Sequence, residues 1–458
     1  MLSFRDPVAR REFLRVGGLT LGGVSLASTL ARAGSPLATA GKPITDQSVI
    51  FLFLHGGPSQ IETFDPKMTA PDSIRSATGE IQTAIPGITF GGTFPKLAAL
   101  ANRFSVVRSF VTGDGNHDIK PIVGKDSFGA NLGSAYASVA GANHPETGMP
   151  MNVALFPQAV VPMSQPAQAS FGNFLSAGPF GTANAPFAPG GGGAFQKNLI
   201  LNFPQGKLAD RRALLTALDR TKLAFDENAV GMDSTREKAF SILLGGVGDA
   251  FDLTKEDART VAKYDTAPLI SVQKIDKKWN NHKFYADNVR TLGKLLLLAR
   301  RLCERGAGFV TVTTNFVWDM HADVNNATMT EGMSYMAPPL DHALSAFLED
   351  TRQRGLDDKI LLVACGEMGR TPTINKNGGR DHWGGLAPLL LAGGGLKMGQ
   401  VVGRSDAKAG APNSDPVLKK NLISTVMNTL FDTGKLRVTR GVARELLTMI
   451  DAEPIAGV

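Results

Sequence analysis

The sequence predicts an α/β protein with a doubly wound, mostly parallel sheet and helices on both faces. Runs of consecutive apolar residues at 48–54, 308–314 and 359–365 are typical of strands that are buried on both faces of a parallel sheet. Amphipathic helical patterns alternate with such runs from about residue 283 onward, as expected for this class. A composition of 43% hydrophobic and 19% charged residues is that of an ordinary globular protein.

The first 33 residues have the features of an export signal. Arg10 and Arg11 precede an apolar, glycine-rich run at 16–30, and Ala31-Arg32-Ala33 offers a cleavage site. This pattern predicts recognition by the twin-arginine export machinery and delivery to the periplasm or cell envelope. The alternative is an uncleaved anchor, but a span needs about 20 apolar residues, and this shorter run contains four glycines.

We expect a linker at 34–46 and one domain at 47–452, with a variable insertion at about 130–285. No later stretch is long and apolar enough to span a membrane, so none is expected in the mature chain. The net charge of +7 is weak, and no basic stripe is interleaved with aromatics, which excludes nucleic acid as the expected partner. Cys303 and Cys365 lack metal-ligand spacing; they form either two buried thiols or a disulfide.

The first half of the domain has few clear elements. After strand 48–54, the patterns predict a helix at 93–103, a strand at 104–109 and a glycine-rich polar turn at 112–118. The stretch 160–197 is rich in Pro, Gly and Ala and reads as a loop. Helices are predicted near 207–222, 233–248 and 254–264.

The second half has a clear βα rhythm. A long helix begins near 283 and ends at Gly306, and a helix at 332–354 ends at Gly355; glycine is a common residue just after a helix. Strands follow these helices at 308–314 and 359–365. Further strands are predicted at 387–392 and 400–402, and helices near 415–431 and 440–450.

Polar clusters follow three of the apolar runs directly. They are His55-Gly56-Gly57-Pro58-Ser59, Trp318-Asp319-Met320-His321-Ala322-Asp323 and Gly366-Glu367-Met368-Gly369-Arg370, the last continued by Gly379-Arg380-Asp381-His382-Trp383. In open α/β sheets ligands bind outside the carboxyl ends of the strands. The sequence therefore predicts one shared site at this edge.

Carboxylate and imidazole groups in this pattern predict a divalent metal ion, namely zinc, manganese, iron or calcium. The predicted metal ligands are His55, Asp319, His321, Glu367, Asp381 and His382. Two less specific interpretations stay open: a turn histidine at position 55, and a solvated loop at 319–323.

Three residues are candidates for catalysis. Arg370 offers a planar fork that matches phosphate or sulfate, and Glu367 can act as a base or as a metal ligand. His117, in the glycine-rich turn, is a further candidate. The alternative is an ion pair between Glu367 and Arg370.

The motifs together resemble the DUF1501 family of exported bacterial proteins, from residue 10 to about 406. The matching pieces are the twin arginines, His55-Gly-Gly-Pro-Ser, Glu62-Thr-Phe-Asp65-Pro-Lys, Ala299-Arg-Arg-Leu302, Trp318-Asp-Met-His321, Gly366-Glu-Met-Gly-Arg-Thr-Pro372 and Gly379-Arg-Asp-His-Trp383. The resemblance implies an alkaline-phosphatase-like fold, shared with sulfatases. Such proteins are hydrolases of phosphate or sulfate esters with one or two divalent metals.

By position, the resemblance places His55, Asp319, His321, Glu367 and His382 near that superfamily's metal ligands. Its nucleophile region corresponds to 109–118, where Ser109 and Thr112 are the only hydroxyls. The sulfatase Cys-x-Pro-x-Arg signature is absent from the sequence. These departures leave the covalent step of that superfamily without an assigned residue.

The sequence predicts an exported, metal-dependent hydrolase of anionic sulfate or phosphate esters, either small molecules or polysaccharides. The first alternative is a non-catalytic protein that binds sulfated polysaccharide or another envelope component on the same scaffold, since fold does not imply function. The second alternative is a structural envelope protein whose polar clusters only cap the sheet.

Overall fold

A computed structural model describes residues 41–190 and 247–458. The predicted signal at 1–33, most of the linker, the predicted helix near 207–222 and nearly all of that near 233–248 lie outside these residues. In the described part of the chain, no helix is both long and apolar enough to cross a membrane.

The described residues form thirteen strands, most of them short. In chain order they are β1 (Ser48–Phe53), β2 (Glu80–Gln82), β3 (Thr89–Gly91), β4 (Ser105–Val107), β5 (Phe110–Val111), β6 (Asn152–Leu155), β7 (Phe309–Thr313), β8 (Ile360–Cys365), β9 (Gly369–Arg370), β10 (His382–Trp383), β11 (Leu389–Gly393), β12 (Val401–Val402) and β13 (Val417–Leu418).

The α-helices range from one turn to seven turns. In chain order they are α1 (Gln60–Thr63), α2 (Pro95–Ala99), α3 (Leu132–Ala140), α4 (Gly248–Phe251), α5 (Ala258–Tyr264), α6 (His282–Glu304), α7 (Met329–Gln353), α8 (Lys419–Leu430), α9 (Thr433–Val438) and α10 (Arg444–Met449).

Seven strands form the central sheet in the order β12-β4-β11-β8-β1-β7-β6. β1 lies inside the sheet, parallel to β7 on one side and to β8 on the other, with Val49 opposite both Phe309 and Leu361. Only β11 runs antiparallel to its neighbours β8 and β4. The predicted mostly parallel α/β sheet is confirmed.

Apolar side chains pack on both faces of this sheet. Successive residues of a strand point to opposite faces, so Ile50 and Leu52 of β1 join the core under α6 and α7, while Phe51 and Phe53 join the core under α3 and α8. All six residues of β1 are buried. Helices therefore cover both faces, as the unbroken apolar run predicted.

The structure differs from the predicted elements in two places that bear on the site. β6 is a sheet strand within the stretch predicted as a variable insertion, so that part of the stretch belongs to the main fold. The predicted strand 104–109 is the shorter β4, which pairs with β11 and β12, and it is followed by a separate strand, β5, which pairs with β13. The turn that carries His117 follows β5.

Candidate metal centre

The loops after β1, β7 and β8 are joined by backbone and side-chain hydrogen bonds at the carboxyl edge of the sheet. The carbonyl of His55 accepts from Val317 N at 3.1 Å and from Trp318 N at 3.0 Å. Gly56 N donates to the carboxylate of Glu367 at 2.9 Å. The three polar clusters predicted from the sequence therefore meet at one place.

Two glycines after β1 make this close approach feasible. Gly56 has a φ of 110° and Gly57 a φ of 82°, a region that glycine adopts without steric cost. A Cβ atom at Gly56 would lie 2.6 Å from Asp319 N, and one at Gly57 would lie 2.6 Å from the Met368 side chain. Any larger residue would push the three loops apart.

Asp319 is at the centre of the site and is only 3% exposed. Its Oδ1 atom lies 2.6 Å from Arg370 Nη2, 3.2 Å from His382 Nε2 and 3.5 Å from His117 Nε2. Its Oδ2 atom accepts from Asn326 at 3.0 Å and lies 2.9 Å from His321 Nε2. One carboxylate therefore organises side chains from the turn after β5, from its own loop after β7 and from the β9–β10 hairpin.

His117 comes from the turn after β5, which is fastened by a buried lysine. Lys120 is 3% exposed, and its ammonium bonds Asp114 at 2.7 Å and Asp118 at 3.0 Å, on either side of His117. Gly115 lies against His382, where a Cβ atom would be 3.0 Å from the histidine Cβ. This packing brings the turn to the other polar loops.

The two ring nitrogens of His117 face two different carboxylates. Nε2 points to Asp319, while Nδ1 lies 3.2 Å from Oε1 of Glu367, which is fully buried. A histidine that binds a metal through one nitrogen usually donates its other N–H to a carboxylate, which fixes the ring. Glu367 is placed to orient His117, and Gly56 N holds Glu367 in turn.

Charges in the site shift the protonation of its members. Burial works to raise the pKa of Asp319, but the Arg370 guanidinium and the three histidines hold that pKa well below its usual range. Burial works to lower the pKa of His117, but hydrogen bonds to Asp319 and Glu367 raise it overall. The hydrogen bond to Asp319 likewise raises the pKa of His321. The carboxylate is ionised and ready to bind a cation.

We call His117, Asp319 and His382 the central cluster. Among residues 41–190 and 247–458, it is the one group of three or more His, Cys, Asp or Glu side chains whose ligand atoms lie close enough together to hold a metal ion. One nitrogen or oxygen from each lies within 4.8 Å of the others. Two imidazole nitrogens and one carboxylate oxygen suit zinc, manganese or iron, whereas calcium prefers oxygen ligands throughout. Three protein ligands also leave a position free for water or substrate. The residues fit a divalent transition metal.

The other predicted ligands lie at different distances from the central cluster. His321 bonds the Asp319 oxygen that faces away from His117 and His382. Asp381 is exposed and accepts a hydrogen bond from Asn375 at 3.0 Å. Strand alternation places Asp381 on the opposite face of the β9–β10 hairpin from His382, beside an open groove of about 430 Å³. His321 therefore lies next to the central cluster, and Asp381 lies in the groove.

His55 is 1% exposed and sits in an aromatic enclosure. Its ring lies between 5.1 and 5.9 Å, centroid to centroid, from Phe53, Phe171, Phe174 and Phe316. Neither ring nitrogen has a hydrogen-bond partner among the described residues. Burial lowers the pKa of His55, so the ring is neutral.

The predicted role of Arg370, to hold a substrate anion, does not suit its surroundings. The guanidinium is fully buried and donates to the carbonyls of Gly56, Gly57 and Trp318 besides Asp319. The alternative, an ion pair between Arg370 and Glu367, does not form, because Arg370 pairs with Asp319. Arg370 therefore holds the loops after β1 and β7 together through these hydrogen bonds.

Sequence reasoning missed a second buried ion pair that supports the site. Arg380 and Glu62 are both fully buried, and Arg380 Nη2 lies 2.8 Å from Glu62 Oε1. The same guanidinium bonds the carbonyls of Ile74 and Arg75. This pair holds the start of β10 and thus His382. The one signal in the sequence is that Arg380 lies in the same motif as His382.

The hydroxyls considered as nucleophiles make no hydrogen bond to the central cluster. Ser109 and Thr112 are fully buried, and neither hydroxyl has a hydrogen-bond partner among the described residues. Ser109 Oγ packs on Gly403, where a Cβ atom would be 2.1 Å away. In the described part of the chain, no serine, threonine or tyrosine hydroxyl bonds a member of the central cluster or Glu367.

Comparison with known proteins identifies the family. The profile of "Protein of unknown function (DUF1501)" matches residues 46–455, so the chain belongs to the DUF1501 family, as its motifs indicated. A comparison with curated protein sequences found no match.

Several solved structures are similar at low identity. The lipoteichoic acid synthase LtaP from Listeria monocytogenes is 11% identical, with 92% of this chain and 77% of that chain covered and a TM-score of 0.32. A protein of glycosaminoglycan metabolism from Bacteroides thetaiotaomicron is 11% identical (90% and 76% covered, TM-score 0.36). The phosphonate monoester hydrolase SpPMH from Silicibacter pomeroyi is 11% identical (84% and 73% covered, TM-score 0.28). With TM-scores this low, the site has to be interpreted from its own geometry.

Proposed function

We propose that this member of the DUF1501 family binds a divalent transition metal at His117, Asp319 and His382 and hydrolyses anionic esters. The observation that carries the proposal is the convergence of two imidazole nitrogens and one ionised carboxylate within 4.8 Å. The sulfate or phosphate nature of the ester comes from the motif resemblance described above. The substrate is a small molecule or a polysaccharide that carries such a group.

The chain's own residues have distinct parts in this proposal. His117, Asp319 and His382 would hold a divalent ion, which would supply Lewis acidity toward the ester and toward water. Glu367 keeps the Nδ1 proton of His117 in place, so that Nε2 stays free to ligate. The stacked rings of Phe171 and Phe316, 4.6 Å apart, keep water away from one side of His117. His321, which is partly exposed, can exchange a proton with solvent at the rim.

The first test is elemental analysis of the exported, folded protein together with two ligand variants. We expect bound zinc, manganese or iron in the wild type, and loss of the ion in His117→Ala and His382→Ala. His282→Ala is the matched control, because this histidine lies at the start of α6 and bonds a backbone carbonyl instead. A wild-type protein without metal after reconstitution, or variants that retain it, would refute the metal site.

A specific observation favours a second candidate function, a non-catalytic binding protein on the same scaffold. Among the described residues, neither Ser109 nor Thr112, nor any other serine, threonine or tyrosine, bonds the central cluster through its hydroxyl. Turnover of aryl phosphate and aryl sulfate esters by the metal-loaded protein separates the two functions. Hydrolysis that is lost in His382→Ala supports the enzyme, whereas metal binding without hydrolysis of either ester supports the binding protein.

Export to the periplasm or cell envelope by the twin-arginine machinery is part of the proposal. It is supported by Arg10, Arg11 and the glycine-rich apolar run that follows them. Cell fractionation tests it directly. Replacing both arginines with lysine should leave the precursor in the cytoplasm, and periplasmic delivery of that variant would contradict the assignment.

A further inference from the structure

We propose that the site holds a single divalent metal ion, because the guanidinium of Arg370 permanently occupies the place of a second cation. This inference rests on the proposed metal site and deepens it by giving the number of ions. Two-metal hydrolases use a second ion about 3.5–4 Å from the first to hold charge at the reaction centre. Here the second positive charge is built into the chain.

Arg370 is held as a resident cation. Its Nη2 lies 2.6 Å from Asp319 Oδ1, the same oxygen that faces both histidines of the central cluster. Its Nε donates to Gly57 O at 2.7 Å, and its Nη2 also reaches the carbonyls of Gly56 and Trp318. Arginine stays protonated and suits buried ion pairs because its guanidinium is weakly hydrated. The side chain is fully buried, so another ion could enter here only if these contacts were broken.

The charges at the site also favour one ion. Asp319 and Glu367 supply two negative charges and Arg370 one positive charge, which leaves −1 before metal binding. Histidines that bind metal do so as neutral imidazoles. One divalent ion brings the site to +1, which attracts an anionic ester, whereas a second would bring it to +3 in a buried place.

The remaining donors do not form a second centre. His55 has two unpartnered nitrogens, but its ring is enclosed by Phe171, Phe174 and Phe316. The oxygens of Glu367 are bonded to Gly56 N and His117 Nδ1. Among the described residues, only the central cluster brings three ligand atoms together. A second ion would have to displace these contacts and the guanidinium.

The first experiment is native mass spectrometry of the purified, exported protein titrated with zinc and, separately, with manganese. We expect binding to saturate at one equivalent. Two equivalents in the wild type would overturn this inference while leaving the proposed function intact. Zero equivalents would overturn both.

The second experiment changes the charge at position 370 and measures metal affinity by competition with a chelator. Arg370→Met removes the charge beside Asp319, so we expect the first ion to bind at least about tenfold tighter, with a second equivalent near saturation. Arg370→Lys is the matched control, which keeps the positive charge and should therefore still bind one equivalent and no second ion.

The folding of both variants is checked by circular dichroism and thermal melting. A folded Arg370→Met protein with unchanged or weaker affinity and one equivalent would overturn the inference. If Arg370→Met does not fold, the decision passes to the wild type and Arg370→Lys. Two equivalents in either of these proteins overturn the inference, and one equivalent in both supports it.

Discussion

Side chains at the site have two different roles: some are placed to bind a metal ion, and others only position the residues that would bind it. Asp319 faces both histidines of the central cluster, whereas Glu367 touches only His117 and a backbone N–H. Asp381, in the same sequence motif as His382, faces a groove on the other side of the hairpin. Sequence spacing alone cannot separate these three carboxylates, and their contacts do.

Replacing Glu367 with Gln tests its positioning role. The substitution keeps the size of the side chain but removes the charge that orients the His117 N–H, so we expect metal affinity to fall by about 10–100-fold. Asp381→Asn is the control and should leave affinity unchanged. Isothermal titration calorimetry measures both. An equal loss in Asp381→Asn would show that Asp381, and not Glu367 alone, supports the ion.

The close approach of the loops after β1 and β7 gives a stability prediction at Gly56. Alanine there combines a disfavoured φ with a Cβ atom 2.6 Å from Asp319 N, and we expect a loss of about 3 kcal/mol in the free energy of unfolding. Gly79→Ala is the control, since Gly79 has a φ of 75° but open space around it. Its cost should be about 1 kcal/mol. Urea denaturation that shows equal costs would contradict the packing argument.

At the scale of elements, a side chain of α7 caps the N-terminus of another helix, α2. Asp341, inside α7, accepts hydrogen bonds from Lys96 N at 3.0 Å and from Leu97 N at 2.7 Å, in the first turn of α2. The first N–H groups of a helix have no partner within it. Asp341 therefore caps α2, although it lies 244 positions away from Leu97 in the chain.

The burial of Asp341 makes stability depend on pH, although its hydrogen bonds from Lys96 N and Leu97 N work to lower the pKa of the carboxyl. Burial raises the pKa of Asp341 to about 6, above its ordinary value of 3.8, so folding favours the protonated carboxyl. The stabilisation is present below about pH 4 and is lost as the pH rises through 6. At 1.36 kcal/mol per pKa unit, the wild type should lose about 3 kcal/mol relative to Asp341→Asn over the whole transition, from about pH 3 to about pH 7.

Urea denaturation of both proteins at several pH values measures this difference. Asn keeps an acceptor for one backbone N–H but does not ionise, so its stability lacks this component. A constant difference between wild type and Asp341→Asn from pH 4 to pH 7 would show that the carboxyl titrates normally.

For the whole molecule, the proposed ion joins segments that are far apart in the chain. His117 follows β5, Asp319 follows β7 and His382 lies in β10, so a metal bound to all three cross-links the carboxyl edge of the sheet. A ligand that binds only the folded state stabilises it by mass action, by about 2.7 kcal/mol at 100 times Kd. Metal content should therefore affect global stability as well as the local site.

Removal of the metal tests this link without an activity assay. Treatment with a chelator should lower Tm, and adding back zinc or manganese should restore it. His382→Ala should have a Tm that responds to neither treatment, while His282→Ala should respond as the wild type does. A melting temperature of the wild type that is independent of metal would argue against a cross-link in the folded state.

The amino-acid sequence by itself determined the fold class, the family and the edge of the sheet where the polar residues gather. The apolar runs of β1, β7 and β8 are local signals, because a strand that is buried on both faces must be apolar throughout. The positions of His55, Asp319 and Glu367 directly after those runs then place them at the carboxyl ends of neighbouring strands. None of this requires knowledge of long-range contacts.

Only the tertiary structure decided which of these residues converge. His117, from the turn after β5, lies next to Asp319 and His382. Asp381 bonds Asn375 instead, and Arg370 is buried against Asp319. The tertiary structure also paired Arg380 with Glu62, 318 positions apart. The physical reason is that ligand geometry depends on packing between loops that are distant in sequence, and the spacing of residues along the chain does not encode that packing.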